Sequence, residues 1–588
     1  MGMEYKNDAL CLDKLDIGVQ YEMIEDPEGR SEILIDASNK IISYRDSEGF
    51  KNEEVGINSA VVNTNSLNLT AEGMTEFHKD LKDSGFTSGA GDWSDNESLE
   101  ISMPRCAIVN ITNDTNNAIW PTSKTVDYHY YLQFWDMQGN YFKKPVVYNA
   151  QGNSSLGMPK KNGAFDMFAD TWDGEAFTLK IGDWVPQDSF HLKAYYADYF
   201  VGVCPIAYKL FNQIIATRDI FTNRDWKKAL IPSKETIGIN SEAMKGYDDK
   251  YAIDNNARCF PDGFPCIVYL NGDFYGVYSW QIKKHRDNYQ MSKKKPLHIH
   301  LDGCISDEAI FLANGTLDWD LISGIKPDST NNYDGIEVRN PKPKKKKDGW
   351  DLTCFDDSKY DGDTNRKELM GSDNAGYDST NESHKKSNQT KQAIISLSTF
   401  IPELYTLESN GATADQIRNK IEEHFDVQSF IDYIVFGDVI TNFDGFRKNW
   451  QWITYDGIKW FIEPYDMDGI FGWDGWGPIS PTVGRYGNSK DYPTGWFIQY
   501  YQTELETRYA ELREKDIFKT SNILSIFRNW IAAIGTDNYQ KNHDKWPINQ
   551  ELYPFAPVNG HYDNIYRVSN WLDARIEKCD EIYNYNQN

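Results

Sequence analysis

The chain has 588 residues, of which 40% are hydrophobic and 14% aromatic, and its formal net charge is −27. This length and apolar content exclude an intrinsically disordered chain and predict about two to four domains. The excess of negative charge argues against nucleic acid and anionic membranes as main partners, because both would be repelled.

The eight cysteines are scattered, and no C-x-x-C pair is present. We therefore expect reduced core cysteines and no zinc site. The first residues, MGMEYKNDALCLDKLDIG, lack the basic and then apolar pattern of a secretion signal. An apolar run of about 18 residues, which would predict membrane insertion, is also missing from the sequence.

Residues 1–95 are polar and rich in Asn and Asp, and we interpret them as an N-terminal arm or small β element. Within this arm, SEILIDASNKIISYRD predicts a hairpin around Ser38-Asn39. Residues 96–300 are β-rich. Strands are predicted in ISMPRCAIVNIT, VDYHYYLQFWD, FKKPVVYNA, FTLKIGDW and HLKAYYADYF, then a helix in VCPIAYKLFNQII, and then a hairpin in FPCIVYLNGDFYGVYSWQI with Asn271-Gly272 as its turn.

Residues 301–390 form a loop-rich insert, and its basic run PKPKKKKDGW is typical of a solvated loop. Residues 391–588 are predicted to be mainly helical, with a β-hairpin in the middle. The predicted helices lie in QAIISLSTFIPELYTL, ADQIRNKIEEHFDVQSFIDYIVFGDVI and SNILSIFRNWIAAIG. The fold class indicated by this order of elements is α+β.

The stretch NFDGFRKNWQWITYDGIKWFIEPYDMDGIFG, which begins at Asn442, carries the strongest chemical pattern. Asp444 and Asn449 have the D-x-x-x-x-N spacing of a kinase catalytic loop. A hairpin through Asp456-Gly457 would return Asp466 and Asp468 towards them. Carboxylate and amide oxygens are suitable ligands for Mg²⁺. On local spacing alone, a capped turn with surface carboxylates is an equally good interpretation.

A second candidate cluster lies in QGNSSLGMPKKNGAFDMF, which begins at Gln151. Its turn could present backbone amides and hydroxyls to phosphate oxygens, and two lysines follow it. The candidate ATP- or phosphate-binding residues are Gly152, Asn153, Ser154, Ser155, Lys160 and Lys161. A polar turn followed by two solvated lysines is the commoner meaning of such a pattern.

His285-Arg286-Asp287 spells the H-R-D of protein kinases, but five residues after Asp287 stands Ser292 rather than Asn. We interpret this segment as the exit of a hairpin and not as a catalytic loop.

Taken together, these motifs resemble the spore coat protein H (CotH) kinase family. The matching blocks cover about residues 100–480. In chain order they are QGNSS from Gln151, PKK from Pro159, KAYYAD from Lys193, NGDFYGVY from Asn271, NFD from Asn442 with Asn449, and WFIEPYDMD from Trp460, followed by Phe471-Gly472.

The resemblance implies an atypical protein-kinase-like fold of two lobes, with a β-rich N-lobe (96–300) and a helical C-lobe (391–588). It also implies ATP and magnesium as cofactors and phosphoryl transfer to Ser, Thr or Tyr of a protein. Asp444 would act as the base and Asn449 and Asp466 would hold the metal with help from Asp468. Lys160 or Lys161 would contact phosphate.

The chain departs from the family pattern at two places. The family has Arg where Gln151 stands, and it often has a Glu shortly after the G-x-Y strand, where this chain has SWQIKKHRD with Gln281. Such a Glu would serve to hold a lysine of the nucleotide site.

Two other functions remain open at this stage. The N-terminal arm weakly resembles tail proteins of phages from gut bacteria. A virion structural protein with a kinase-like fold and little catalysis is therefore the alternative, with neighbouring virion proteins as partners and a cytoplasmic or virion location. A carbohydrate-binding protein is suggested only by the tryptophans, which in so aromatic a chain are more often core residues.

Overall fold

The structure is a computed structural model that describes residues 94–217, 261–303 and 382–585. Short gaps within these ranges lie at 137–139, 153, 183, 290, 292–294, 447–448, 468, 475–476, 550 and 552–560. The backbone of several strands outside the ranges is also described. Asn153, Asp468, the turn at 137–139 and the basic run of the insert lie outside the described residues.

The N-terminal segment forms a sheet of its own. Six strands follow one another in sequence order, and each pairs antiparallel with the next. They are β1 Met3–Lys6, β2 Ala9–Leu12, β3 Gln20–Glu22, β4 Ser31–Ile35, β5 Ile41–Asp46 and β6 Gly49–Asn52. The predicted hairpin around Ser38-Asn39 is confirmed by the pairing of β4 with β5.

The next group of strands closes into a barrel, which the sequence did not predict. The strands of this region are β7 Gly91–Asp92, β8 Ser98–Ile101, β9 Ala107–Thr112, β10 Tyr128–Asp136, β11 Asn140–Gln151, β12 Asn162–Met167, β13 Thr178–Ile181, β14 Ser189–Lys193, β15 Gly263–Leu270 and β16 Asp273–Ile282. Seven of them follow the order β10-β9-β15-β16-β14-β12-β11. The ring is closed because β10 pairs with β11 as well as with β9. The predicted hairpin with its Asn271-Gly272 turn is confirmed as β15–β16.

The odd number of strands has a topological consequence. Strand directions cannot alternate all the way round a ring of seven, so at least one neighbouring pair must be parallel. In this barrel that pair is β9 with β15, and the other pairings of the seven strands are antiparallel.

Large aromatic side chains fill the inside of the barrel, so it is a packed core and not a channel. Phe134 and Phe142 stack with ring centroids 4.9 Å apart. Trp280 meets Phe165 edge to face at 4.9 Å. Tyr148 is fully buried, and its hydroxyl lies next to the backbone of Gly163.

The rest of the described chain is mainly helical and confirms the α+β class. The helices are α1 Val203–Ile215, α2 Glu382–Ser409, α3 Ala414–His424, α4 Val427–Ile440, α5 Pro493–Tyr500, α6 Gln502–Glu514, α7 Thr520–Ile534, α8 Thr536–Lys545 and α9 His561–Ile582. None of the described helices combines the length and the apolar character needed to cross a membrane.

A further sheet lies within this helical region, with the order β18-β19-β17-β20-β21. Its strands are β17 Ile299–Gly303, β18 Ile322–Ser323, β19 Ile336–Asn340, β20 Trp450–Thr454 and β21 Trp460–Pro464. A short ladder follows, made of β22 Trp473–Asp474 and β23 Gly477–Pro478.

Helix α4 is the centre of the helical core. It is capped by Asp426, whose side chain accepts a hydrogen bond from the N–H of Ser429, and it is buried on all sides from Ser429 to Ile440. Its Asp432 forms a buried ion pair with Arg508 of α6 at 2.7 Å. Arg508 also donates to the carbonyl of Ile214 at 2.8 Å and so joins α1, α4 and α6.

The barrel is attached to the helices through β16 and α8. The side-chain oxygen of Asn542 accepts the N–H of Val277 at 3.0 Å. Gly276 makes this approach possible, because a Cβ there would lie 3.0 Å from the same oxygen. Five tryptophans are among the largest fully buried side chains of the core: Trp135, Trp184, Trp280, Trp460 and Trp496.

Gly163 offers a test of the barrel packing. A Cβ at this position would lie 2.1 Å from the hydroxyl oxygen of Tyr148. We expect Gly163→Ala to lower the free energy of unfolding by about 1–3 kcal/mol through overpacking, measured by urea denaturation. Gly157→Ala is the matched control, because no atom lies within 4 Å of the added carbon. Equal stabilities of the two variants would contradict the packing described here.

Candidate active site

The turn after α4 places Asp444. Thr441 adopts a left-handed conformation with φ 57° and ends the helix. The side-chain oxygen of Asn442 accepts the N–H of Gly445 at 3.2 Å, and the hydroxyl of Tyr433 donates to the carbonyl of Gly445. Asp444 therefore begins a short 3-10 turn whose backbone is held from two sides, while its side chain remains half-buried at the surface.

The hairpin of β20 and β21 returns the chain to this turn, as the sequence predicted. In its register Trp450 lies opposite Pro464. The carboxylate of Asp456 accepts the N–H groups of Ile458 and Lys459, both at 2.8 Å, and so shapes the connecting loop. The next residue along β21, Tyr465, donates its N–H to the carbonyl of Asn449 at 3.2 Å.

Asn449 joins the two acidic elements. Its side-chain amide nitrogen lies 3.2 Å from a carboxylate oxygen of Asp444 and 3.4 Å from the carbonyl oxygen of Asp466. The structure thus brings together three of the four residues that the sequence proposed for catalysis and metal binding. The fourth, Asp468, lies outside the described residues.

The backbone at this junction is constrained. Asn449 and Asp466 both have left-handed conformations, with φ 59° and 48°. Such values cost free energy in residues with a side chain, although Asn and Asp adopt them more readily than most. The N–H of Asp466 donates to the hydroxyl of Tyr208 at 3.2 Å, so α1 helps to hold the strained residue.

A small cleft lies between Asp466 and the barrel. Lys193 at the end of β14, Lys284 after β16, and Tyr465 and Asp466 are among the residues that line it. Lys193 is 7% exposed, and within the described part of the chain its ammonium has no hydrogen-bond partner. Burial by itself would lower the pKa of Lys193. The neighbouring Tyr465 and Asp466 outweigh this effect, so the pKa is raised above its ordinary value. The ammonium is thus kept charged beside Asp466.

Sequence reasoning assigned no role to Lys193 or Lys284. A signal for Lys193 was present, since it ends the strand-like run FHLK and is the first residue of the KAYYAD block. No such signal marked Lys284, because only the folded chain places it beside Tyr465.

The QGNSS cluster and its two lysines lie elsewhere on the barrel. Ser154 and Ser155 begin a 3-10 turn, and Gly152 has φ 102°. The ammonium of Lys160 is buried and donates to the carbonyls of Ala194 and Val277.

The ammonium of Lys161 donates to the carbonyls of Leu156 and Met158, both at 2.7 Å. Among the described residues, neither lysine contacts Asp444, Asn449 or Asp466. Their phosphate-binding role stays a prediction.

The donors available for a metal are carboxylate and amide oxygens. Within the described ranges, no group of three or more His, Cys, Asp or Glu residues is arranged around a common point. Asp444, Asn449 and Asp466 offer the hard oxygen atoms that suit Mg²⁺, a cation that keeps several waters and needs few protein ligands.

The His285-Arg286-Asp287 segment lies at the exit of β16, where His285 pairs with Asp287 at 2.9 Å.

A protein-family model described as CotH kinase protein matches residues 150–578. The chain belongs to the CotH kinase family. The matched residues include the Asp444–Asp466 site, the cleft and most of the helices, whereas β1–β10 precede them. No curated protein matches the chain.

Tyr208 provides a test of how this CotH-family site is held. We expect Tyr208→Phe to lower the free energy of unfolding by about 1 kcal/mol, because the N–H of Asp466 loses its acceptor. We also expect weaker stabilisation by Mg²⁺, measured as the shift of the melting temperature over a magnesium titration. Tyr130→Phe is the control, since that hydroxyl donates to the carbonyl of Ile119, which lies in the loop between β9 and β10. An equal magnesium response in the two variants would contradict a positioning role for Tyr208.

Lys160 makes the stability of the chain depend on pH. Burial lowers the pKa of Lys160 to about 7 from its ordinary 10.5. Above pH 7 the folded chain releases this proton while the unfolded chain keeps it, so stability rises with pH in this range. We expect the free energy of unfolding to rise between pH 7 and about 9 in the wild type, and to rise less in Lys160→Met. Lys161→Met should follow the wild type, whereas parallel curves for wild type and Lys160→Met would refute the effect.

Proposed function

We propose that this CotH-family chain is a protein kinase that transfers the γ-phosphoryl group of ATP to a Ser, Thr or Tyr hydroxyl of a protein. The observation that carries the proposal is the position of Asn449 between Asp444 and Asp466, next to a cleft with a buried, charged lysine. Phosphoryl transfer needs these few groups: a carboxylate for the hydroxyl, oxygen ligands for magnesium, and a cation for the phosphates.

Asp444 would orient the substrate hydroxyl and accept its proton. The hydroxyl oxygen forms a bond to the γ-phosphorus as the bond to the β-phosphate oxygen breaks, and ADP leaves. The half-buried side chain of Asp444 is reachable by a residue of another protein. Its hydrogen bond from Asn449 fixes the direction of the carboxylate.

Asn449 and Asp466, with Asp468 as a further candidate, would hold magnesium. When bound, magnesium neutralises charge on the phosphates and on the leaving oxygen. Lys193 would hold the phosphates from the barrel side of the cleft. In this proposal the barrel and the helical region correspond to the N-lobe and the C-lobe of a protein kinase.

The N-terminal sheet supports a second role beside the first. Strands β1–β6 form a separate sheet that precedes the residues matched by the family model. We propose that this arm contacts a neighbouring protein, such as another virion component. A chain that serves only as a structural part of a particle would keep this arm and show no transfer.

The proposal is tested by incubating the full chain with labelled ATP and Mg²⁺. We expect self-phosphorylation or phosphorylation of a protein acceptor, and its loss when EDTA removes the metal. Asp444→Asn should lower the rate by roughly 10²-fold or more, the usual contribution of a catalytic base. Asp466→Asn should lower both the rate and the stabilisation by MgATP.

Asp415→Asn is the matched control, because Asp415 is exposed at the start of α3 and distant in sequence from the site. If the wild type shows neither transfer nor thermal stabilisation by MgATP, the kinase proposal fails. Stabilisation by MgATP without phosphoryl transfer would point to a nucleotide-binding protein that has the kinase-like fold but no catalytic activity.

A further inference from the structure

Lys284 lies in the cleft with a carboxylate partner of its own. It follows β16, and its ammonium forms an ion pair with Asp302 of β17. The ammonium also lies 3.9 Å from the ring centroid of Tyr465, the residue before Asp466. Its side chain is 13% exposed, so the charge is largely removed from bulk water but still borders the cleft.

Asp302 is itself held by a buried hydrogen-bond network. Gln451 of β20 donates its side-chain amide to Asp302 at 2.5 Å, and its amide oxygen contacts His300. Asp302, Gln451 and His300 are all at most 1% exposed. Gln451 stands two residues after Asn449, so the start of the same hairpin places both the proposed metal ligand and the support of Lys284.

The neighbouring lysine faces away from this network. Lys283 donates to Asp166 at 2.9 Å and to Ser189. These partners lie on β12 and β14, away from Asp302 and Tyr465. Successive residues of an extended chain point in opposite directions, which explains the division.

The position where related chains often carry a Glu is used differently in this protein. Gln281 donates its side-chain amide to the hydroxyl of Tyr195 at 2.7 Å. In protein kinases a lysine–glutamate ion pair holds the lysine that contacts the phosphates. In this cleft the lysine with an acidic hydrogen-bonding partner is Lys284 and its partner is Asp302, while Lys193 has no such bond to a described residue.

We propose that Lys284 is a phosphate-binding residue of the cleft and that Asp302, supported by Gln451 and His300, is its positioning residue. The inference rests on the proposed kinase function. It identifies Lys284 and Asp302 as the counterpart of the lysine–glutamate pair that holds the phosphate-binding lysine in protein kinases. Its ligand is the polyphosphate chain of a nucleoside triphosphate. Together with Lys193, two cations would face the phosphates, one from the end of β14 and one from the segment that follows β16. A buried ion pair with a purely structural role is the competing explanation.

The first test separates binding from catalysis. We expect Lys284→Met to raise KM for ATP about tenfold or more with a smaller change in kcat, because a charged phosphate contact is lost. Lys284→Arg should restore much of the affinity, since it keeps the charge. Lys283→Met is the matched control and should leave KM unchanged. An unchanged KM in Lys284→Met, with normal folding by circular dichroism, would overturn the inference.

The second test is a double-mutant cycle. Asp302→Asn keeps the shape of the side chain and removes its charge, and we expect it to raise KM for ATP by a few-fold. In the Lys284→Met background the same change should have no further effect on KM, because Asp302 acts only through Lys284. Additive effects on KM would overturn the positioning role. The double variant also avoids leaving Asp302 buried without its partner, which protects the test against loss of folding.

The third test does not require turnover. Inorganic tripolyphosphate with Mg²⁺ is used as the probe, and the shift of the melting temperature is the readout. We expect a shift in the wild type and in Lys283→Met and a much smaller shift in Lys284→Met.

If the wild type responds to neither tripolyphosphate nor ATP, this inference and the kinase proposal both fail. If the wild type binds and transfers while Lys284→Met binds equally well, only the inference on Lys284 fails. If the wild type binds but does not transfer and Lys284→Met loses binding, the inference stands and catalysis alone is lost.

Discussion

The site depends on one residue, Asn449, whose side-chain amide lies between the carboxylate of Asp444 and the backbone of Asp466. The contact exists because the β20–β21 hairpin has a defined register that returns Tyr465 to the carbonyl of Asn449. A slip of one residue would turn every side chain of the returning strand to the opposite face. The fully buried Trp460 of β21 fixes the register, since its displacement would leave a large cavity.

The groups around the cleft are held by elements that are far apart in the chain. Tyr208 comes from α1, Lys193 and Lys284 from the rim of the barrel, and Asp466 from the hairpin. The cleft therefore forms only where the barrel meets the helices. The bond between Asn542 and Val277 and the buried pair of Arg508 with Asp432 keep these parts together. A buried ion pair adds little net stability, but the loss of one partner destabilises the chain strongly. The Arg508–Asp432 pair therefore mainly fixes how the helices are arranged.

Much of the local structure was predictable because it follows from short-range rules. The helix predicted in VCPIAYKLFNQII is α1, and the Asn271-Gly272 turn joins β15 to β16, as its positive-φ preference indicates. Closure of the barrel was not predictable, because the pairing of β10 with both β9 and β11 depends on the curvature of the whole sheet. The burial of Lys160 was not predictable either. A Pro-Lys-Lys run does not reveal which of the two ammonium groups is buried and donates to backbone carbonyls.

The α+β class and the family follow from the residue types and motifs along the sequence, and the proximity of Asp444, Asn449 and Asp466 follows from their spacing around one hairpin. Only the folded chain shows that Lys193 and Lys284 share a cleft with Asp466 and that Asp302, supported by Gln451, holds Lys284. The physical reason is distance along the chain. Lys284 follows β16, whereas Asp302 belongs to β17 and Gln451 to β20, and only the pairing of β17 with β20 brings the last two side by side.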